Sequence, residues 1–306
     1  MSSHTPKLSV IVISYNMARE LPRTIRTLAP SIQRDITAED YEIIVVDNGS
    51  TRPFDAEQIR QLGPNISIHS VEKPTPSPVP AINFGLSLAR GQLIGVMVDG
   101  ARMASPRLLA TALEAARLHD RPVIGTLSFH LGPDLQSRSV PKGYCQSVED
   151  ELLDSVDWAA DGYRLFDIAV FAGSSAKGWF VIPWETNALF LTREHWATLG
   201  GYDPAFVSPG GGASNLDTWS RAYSTPSSRL ILLLGEATFH QVHGGITTSA
   251  TKESHVWKEF RDEWESLRGK WSYETPTHIK PLVVGHLPNA ALASVKLSAD
   301  LAKELN

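Results

Sequence analysis

Cysteine is almost absent from this 306-residue sequence, Cys145 being the only one. A single cysteine excludes an internal disulfide framework and is the usage expected of a reducing compartment. No histidine and asparagine pattern accompanies Cys145, so it reads as an inert thiol rather than a nucleophile. Long apolar runs are missing too: none approaches the roughly 20 residues of a membrane span. The opening MSSHTPK carries no apolar signal region. The expectation is a cytoplasmic protein, at most peripheral to the inner face of the membrane. A basic excess is also lacking. With 28 Lys and Arg against 33 Asp and Glu the formal charge is −5, which argues against nucleic acid, whose binding needs a basic face. An anionic small ligand would have to be met by local positive charge. Neither an internal repeat nor a low-complexity tract is found.

What is present is an ordinary globular composition, 42% hydrophobic and 20% charged, in a chain long enough to bury a sizeable core. Its most informative stretch is Leu8 to Ser50. Two apolar runs, LSVIVIS and YEIIVVD, end in small polar groups: Tyr15-Asn16 after the first and Asn48-Gly49-Ser50 after the second. A helical segment separates them, so the unit reads strand–helix–strand with a parallel pair. Ligands bind where the carboxyl ends of such strands form a crevice, and Asp47 at that edge can accept from a base or ribose. A bound nucleotide is expected.

Further along, 54–62 reads as a short helix and 66–71 as a strand. Prolines at 74, 76, 78 and 80 mark an extended loop leading into a helix at 81–89, which Gly91 is expected to stop in the left-handed conformation. A buried strand at 92–98 ends on Asp99-Gly100. Ser105-Pro106 reads as N-cap and first position of a helix to about His119, followed by a strand at 122–129. Residues 149–164 look helical and acidic, and FAGSSAKGWFVIP at 171–183 reads as a long functional loop. A strand at 187–191, a helix at 194–199 stopped by Gly200-Gly201, the flexible PGGG of 209–212, a strand at 230–234 and an amphipathic helix at 252–268 follow, the last with Trp257, Phe260, Trp264 and Leu267 on one face. The tail beyond Pro281 is apolar, then helical, a packing or dimerisation element.

The succession SVIVISYN, IIVVDNGS, INFGLSLARGQLIGVMVDG, LGGYDPAF, an Asp-bearing helix and FHQVHGG resembles the family 2 glycosyltransferases of the GT-A fold, from about Leu8 to Gly245. The resemblance implies an α/β architecture: a mixed, mostly parallel sheet flanked by helices, with a Rossmann-like nucleotide-binding half and an acceptor half. It implies one GT-A domain over 1–250, split into a nucleotide-sugar half at 1–130 and an acceptor half at 131–250, with a C-terminal helical extension at 251–306. The implied activity is inverting transfer of a sugar from a nucleotide-diphosphate sugar, UDP-sugar being the expected donor, to a hydroxyl of a glycan, lipid or small molecule. A homodimer through the C-terminal region is a further expectation.

Carried over by position, Ser14, Tyr15 and Asn16 fall where the family holds the nucleoside, Asp47 where its carboxylate meets the base, and Asn83 near the same nucleotide. Asp99 matches the first carboxylate of the DXD motif, but Ala101 stands where the second would be, followed by Arg102. The family's Glu-Asp pair, which carries the general base, falls at Ser214 and Asn215. A departing diphosphate needs cationic stabilisation. Asp99 and His243, with His240 nearby, can hold a divalent metal, Mn or Mg, or Arg102 can act on the phosphates directly; a weakly bound metal assisted by Arg102 is the reading preferred here. For the base, Asp217 and Glu185 are the candidates. Trp184, Gly211 and Gly212 are placed beside the acceptor, with Trp179 and Phe180 framing the same loop. A catalytically impaired nucleotide-sugar-binding or scaffold protein of the same fold is the alternative. A nucleotidyltransferase would want a basic Gly-rich loop after the first strand, and SYNMARE is not one.

Overall fold

The computed structural model describes residues 5–244, 255–271, 275–276 and 279–304. In chain order the elements are β1 (Leu8–Ser14), α1 (Glu20–Leu28), β2 (Tyr41–Asp47), α2 (Ala56–Arg60), β3 (Ile66–Ser70), α3 (Val79–Leu88), β4 (Leu93–Met97), β5 (Arg102–Ala104), α4 (Leu108–Ala116), β6 (Pro122–Leu131), α5 (Gln136–Ser139), α6 (Gln146–Asp154), β7 (Ala169–Phe171), β8 (Leu189–Thr192), α7 (Arg193–Leu199), α8 (Ser214–Ser224), β9 (Arg229–His240), α9 (His255–Arg268), β10 (Leu282–Gly285) and α10 (Leu292–Glu304).

One sheet runs β10-β9-β6-β8-β4-β1-β2-β3. Seven of these eight strands are parallel, and β8 runs against its neighbours β4 and β6. The short β5 and β7 pair antiparallel with β9 and β6. This is the mixed, mostly parallel sheet that the sequence resemblance implied. Strands β1, β2 and β4 are apolar along most of their length, apart from the hydrogen-bonded Ser9 and Glu42 near the start of β1 and β2, because both sheet faces are covered. One face packs Ile11, Ile13, Ile44 and Val46 against Val79 and Ile82 of α3. The other packs Val10, Val12 and Val45 against Leu21, Ile25 and Leu28 of α1. A third cluster, with Phe129, Phe166, Trp179 and Phe239, packs around β6 and β9.

The parallel direction gathers the carboxyl ends of β1, β2, β4 and β9 on one edge, so Ser14, Asp47, Asp99 and His240 share it. Ser14 pairs in register with Asp47, and Val12 with Met97. Beyond β9, β10 adds to the sheet through Leu282 to Gly285. Among the described residues, no helix is long and apolar enough to cross a membrane.

Several local expectations are corrected. Gly91 is not in the left-handed conformation; a Cβ there would lie 2.5 Å from the Ser9 amide nitrogen, so close approach to β1 requires glycine. Gly200 does end α7 left-handed, at φ 71°. Ser105 does not cap α4: its hydroxyl donates to Glu236, and the helix starts at Leu108. The acidic stretch after 149 is helical only to Asp154, with a 3-10 turn at 162–168. The strand expected at 230–234 runs on to His240. The expected helix from 252 is described from His255, and Lys252 and Gly245 lie outside the described residues.

Candidate functional site

Asp99 follows β4 where the chain turns into β5. Its Oδ1 accepts from the Ala101 amide at 2.9 Å and shapes that turn. Its Oδ2 faces His240 Nε2 at 2.9 Å and His243 Nε2 at 3.5 Å, and the two imidazole nitrogens lie 3.2 Å apart. Arg102 Nε lies 3.6 Å from the same oxygen, while its Nη1 donates to Ser128 at 2.7 Å. The histidines come from the end of β9, which β5 brings alongside by pairing Arg102 with His240.

Charge is tightly balanced here. Burial would raise Asp99, but the neighbouring His243 outweighs it and holds the carboxyl well below its usual range. His240 is lowered to about 4 by burial and by Arg102, so it is neutral. Burial would lower His243 as well, but Asp99 prevails and raises it. Burial lowers Arg102.

Three donor atoms with mutual separations of 2.9, 3.2 and 3.5 Å fit one divalent ion. Bonds of about 2.1 Å at right angles place neighbouring ligand atoms about 3 Å apart. Two imidazoles and a carboxylate suit Mn, Fe, Co or Zn better than Mg or Ca. Ala101 is wholly buried in the apolar cluster under α1. A carboxylate at that position would lie among apolar side chains. His240 completes a trio with Asp99 and His243 that could hold a metal ion, where the sequence pattern offered it only as a neighbour of His243.

The segment carrying these histidines is strapped down from the side. The Val242 amide donates to Glu149 on α6 at 2.8 Å, and Arg19 pairs with Glu149 and Glu20 at the start of α1. Burial raises Glu149 to about 7.

At the nucleoside end, Ser14 is fully buried with a partnerless hydroxyl oxygen, and Tyr15 is 51% exposed. Asn16 adopts φ 54° and its Oδ1 accepts from the Arg52 amide. Asp47 holds the following turn by accepting from the Ser50 hydroxyl and amide. Asn83 clamps Tyr202 with both ends of its amide, donating at 2.8 Å and accepting at 2.9 Å, which makes it a brace between α3 and the Gly200-Gly201 turn.

The base candidates differ sharply. Asp217 is 2% exposed, and each of its oxygens binds a guanidinium, Arg221 at 2.7 Å and Arg268 at 2.6 Å. Glu185 is half-buried in the loop before β8 and accepts from Asn215 Nδ2 at 3.2 Å; Arg102 feels its charge. Among the described residues no guanidinium pairs with Glu185. Asn215 is itself held by Tyr202 and the Thr186 carbonyl. Trp184, next to Glu185, is 47% exposed, whereas Trp179 is a core residue that donates to Leu233 O. Gly210, Gly211 and Gly212 all have positive φ. Gly211 packs on Pro78, and Gly212 against Glu263 of α9.

Two curated proteins called "Validoxylamine A glucosyltransferase", from Streptomyces hygroscopicus subsp. jinggangensis (strain 5008) and subsp. limoneus, are 28% and 27% identical over 240 residues. Those alignments cover 74% of this chain and 54% and 50% of the relatives, so the chain spans about half the length of the curated relatives it matches. The crystal structure of S. aureus TarS 1-349 in complex with UDP-GlcNAc superposes with a TM-score of 0.51 at 16% identity, covering 85% of this chain and 66% of that one. The structure of S. aureus TarS also gives 0.51, at 15% identity, over 88% of this chain and 41% of that one. At such identities the likeness is one of fold, the GT-A fold. Residues 9–125 match the model of "Glycosyl transferase family 2", the family whose motifs the sequence resembles.

Proposed function

We propose that this protein transfers a sugar, with inversion, from a nucleoside diphosphate sugar to an acceptor hydroxyl. One observation carries the reading: a carboxylate, two imidazoles and a guanidinium converge at Asp99, on the sheet edge that also holds Ser14 and Asp47. UDP-sugar is the donor favoured, supported by a UDP-GlcNAc complex among the fold's solved relatives. A glucosyl group is in keeping with the curated relatives' name.

In this reading the nucleoside lies against Ser14, Tyr15, Asn16 and Asp47, with Asn83 bracing the neighbouring turn. Asp99, His240 and His243 would hold a divalent cation, which neutralises charge on the diphosphate when bound. Arg102 is preset beside Asp99 and Ser128 and adds a fixed positive charge for the leaving phosphate oxygens.

Glu185 is the base. It reaches the Arg102 side of the site, is oriented by Asn215, and accepts the acceptor's hydroxyl proton as that oxygen attacks the anomeric carbon. Asp217 is reassigned to a structural ion-pair cluster, because an oxygen already bound to a guanidinium is a poor proton acceptor. Trp184 offers an exposed aromatic face beside Glu185 for an acceptor sugar. Gly211 and Gly212 let backbone pass close to the same region, and the acceptor half lies within 131–250. The C-terminal part, with α10, is kept as a candidate for self-association.

The test is a melting-temperature panel of uridine, guanosine, cytidine and thymidine diphosphate sugars, with and without Mn²⁺, paired with assays of donor hydrolysis and transfer. Stabilisation by one donor class together with turnover is expected. Stabilisation without turnover would turn the reading towards a binding or scaffold role.

A further inference from the structure

We infer that Gln136 fixes the tautomer of His240, keeping its Nε2 lone pair aimed at the space shared with Asp99 and His243, so that His240 is a positioned cation ligand. The ligand role rests on the donor site proposed above; the tautomer rests on hydrogen bonds alone. Gln136 is fully buried at the start of α5. Its Nε2 donates to the His240 carbonyl oxygen at 2.9 Å, and its Oε1 lies 2.6 Å from His240 Nδ1. These two contacts fix the amide. Turned over, it would set Oε1 against the His240 carbonyl, two acceptors face to face in a buried site.

With an amide oxygen opposite it, Nδ1 must carry the imidazole proton. In the Nδ1–H form the Nε2 lone pair points at the space between Asp99 Oδ2, 2.9 Å away, and His243 Nε2, 3.2 Å away. Without Gln136 the ring would satisfy Asp99 by placing its proton on Nε2, and no lone pair would be left there for a cation. Gln136 is itself held in place. Its backbone amide donates to His130 Nδ1 at 3.0 Å, and His130 is paired with His240 in the β6–β9 register. A single buried side chain thus sets the ring's orientation and its proton. Groups that orient a metal-bound histidine in this way change metal affinity about 10–100-fold when removed.

The experiment has two readouts. Long-range ¹H–¹⁵N correlation on the metal-free wild type, with His240 assigned by its loss in H240N, should show the Nδ1–H form. Mn²⁺ binding followed by electron paramagnetic resonance should weaken about 10–100-fold in Q136M, a variant of similar shape that lacks the acceptor. In Q136M the same ¹H–¹⁵N spectrum should show the His240 proton moved to Nε2, a change that a merely space-filling role would not produce. A wild-type His240 protonated on Nε2 overturns the inference, as does a Q136M that binds Mn²⁺ like the wild type. A wild type that binds no Mn²⁺ but shows the Nδ1–H form overturns the ligand role and the cation reading, and leaves the tautomer assignment standing.

Discussion

Asn215 Nδ2 donates to Glu185 Oε2 at 3.2 Å, which joins the position where the sequence resemblance implies a catalytic carboxylate to a carboxylate supplied from a different loop. In the proposed function Glu185 supplies the proton acceptor that the Asn215 amide cannot be. Replacing Glu185 by Gln keeps the shape and the contact with Asn215 but removes the proton acceptor. E185Q is expected to lower kcat by about 10²–10⁴-fold, with donor affinity measured by calorimetry changed by less than about twofold. Unaltered turnover would place the base elsewhere.

Asp217 gives the opposite signature. D217A leaves Arg221 and Arg268 facing each other around an emptied carboxylate site, and removing one partner of a buried pair costs about 3–5 kcal/mol. Both guanidiniums keep about a quarter of their exposure, so the low end is expected. Denaturant unfolding of D217A should show this loss, with donor binding retained below the unfolding transition. A stable but inactive D217A would restore Asp217 as a catalytic group.

Ala101, where the sequence resemblance implies a second carboxylate, offers a further test. It is 0% exposed among apolar side chains, so A101D should cost more than about 3 kcal/mol rather than tighten Mn²⁺ binding. Mn²⁺ titration beside thermal denaturation decides this; a stable A101D with higher metal affinity would mean that position 101 faces the site after all.

Much of this layout is legible in the sequence, and the failures have physical causes. Strands β1, β2 and β4 are mostly apolar runs closed by polar residues, so their shared edge follows from pattern alone. Strands β5 and β7 are three residues each, too short for any periodicity. Beyond Leu234, Gly235 and Glu236 interrupt the apolar run of β9, although pairing with β6 continues past a register shift near Gly125. The capture of Asp217 by Arg268, the bond from Ser105 to Glu236 and that from Gln136 to His240 join residues 51, 131 and 104 positions apart. No local signal announces such pairings.

Glu236 gives a pH dependence. It is fully buried, accepts from Ser105 and Tyr163, and burial pushes it up to about 7. Its folded-state value lies above the unfolded one, so the folded state binds the proton more tightly. The stabilisation it lends at pH 4.5 or below fades as pH rises through 7. E236Q removes the charge that would have to be buried at high pH. The stability of E236Q relative to wild type should therefore improve steadily from pH 5 to pH 8, by up to a few kcal/mol. Parallel pH profiles for the two proteins in denaturant titrations would contradict this.

The most direct test of the donor site is a crystal structure with Mn²⁺ and a UDP-sugar, with data collected at the manganese absorption edge. The expected result is one anomalous peak bonded to Asp99 Oδ2, His240 Nε2 and His243 Nε2 at about 2.1–2.3 Å, bridging to the diphosphate with Arg102 beside it. A peak away from these three atoms, or a diphosphate seated on another edge of the sheet, would contradict the account.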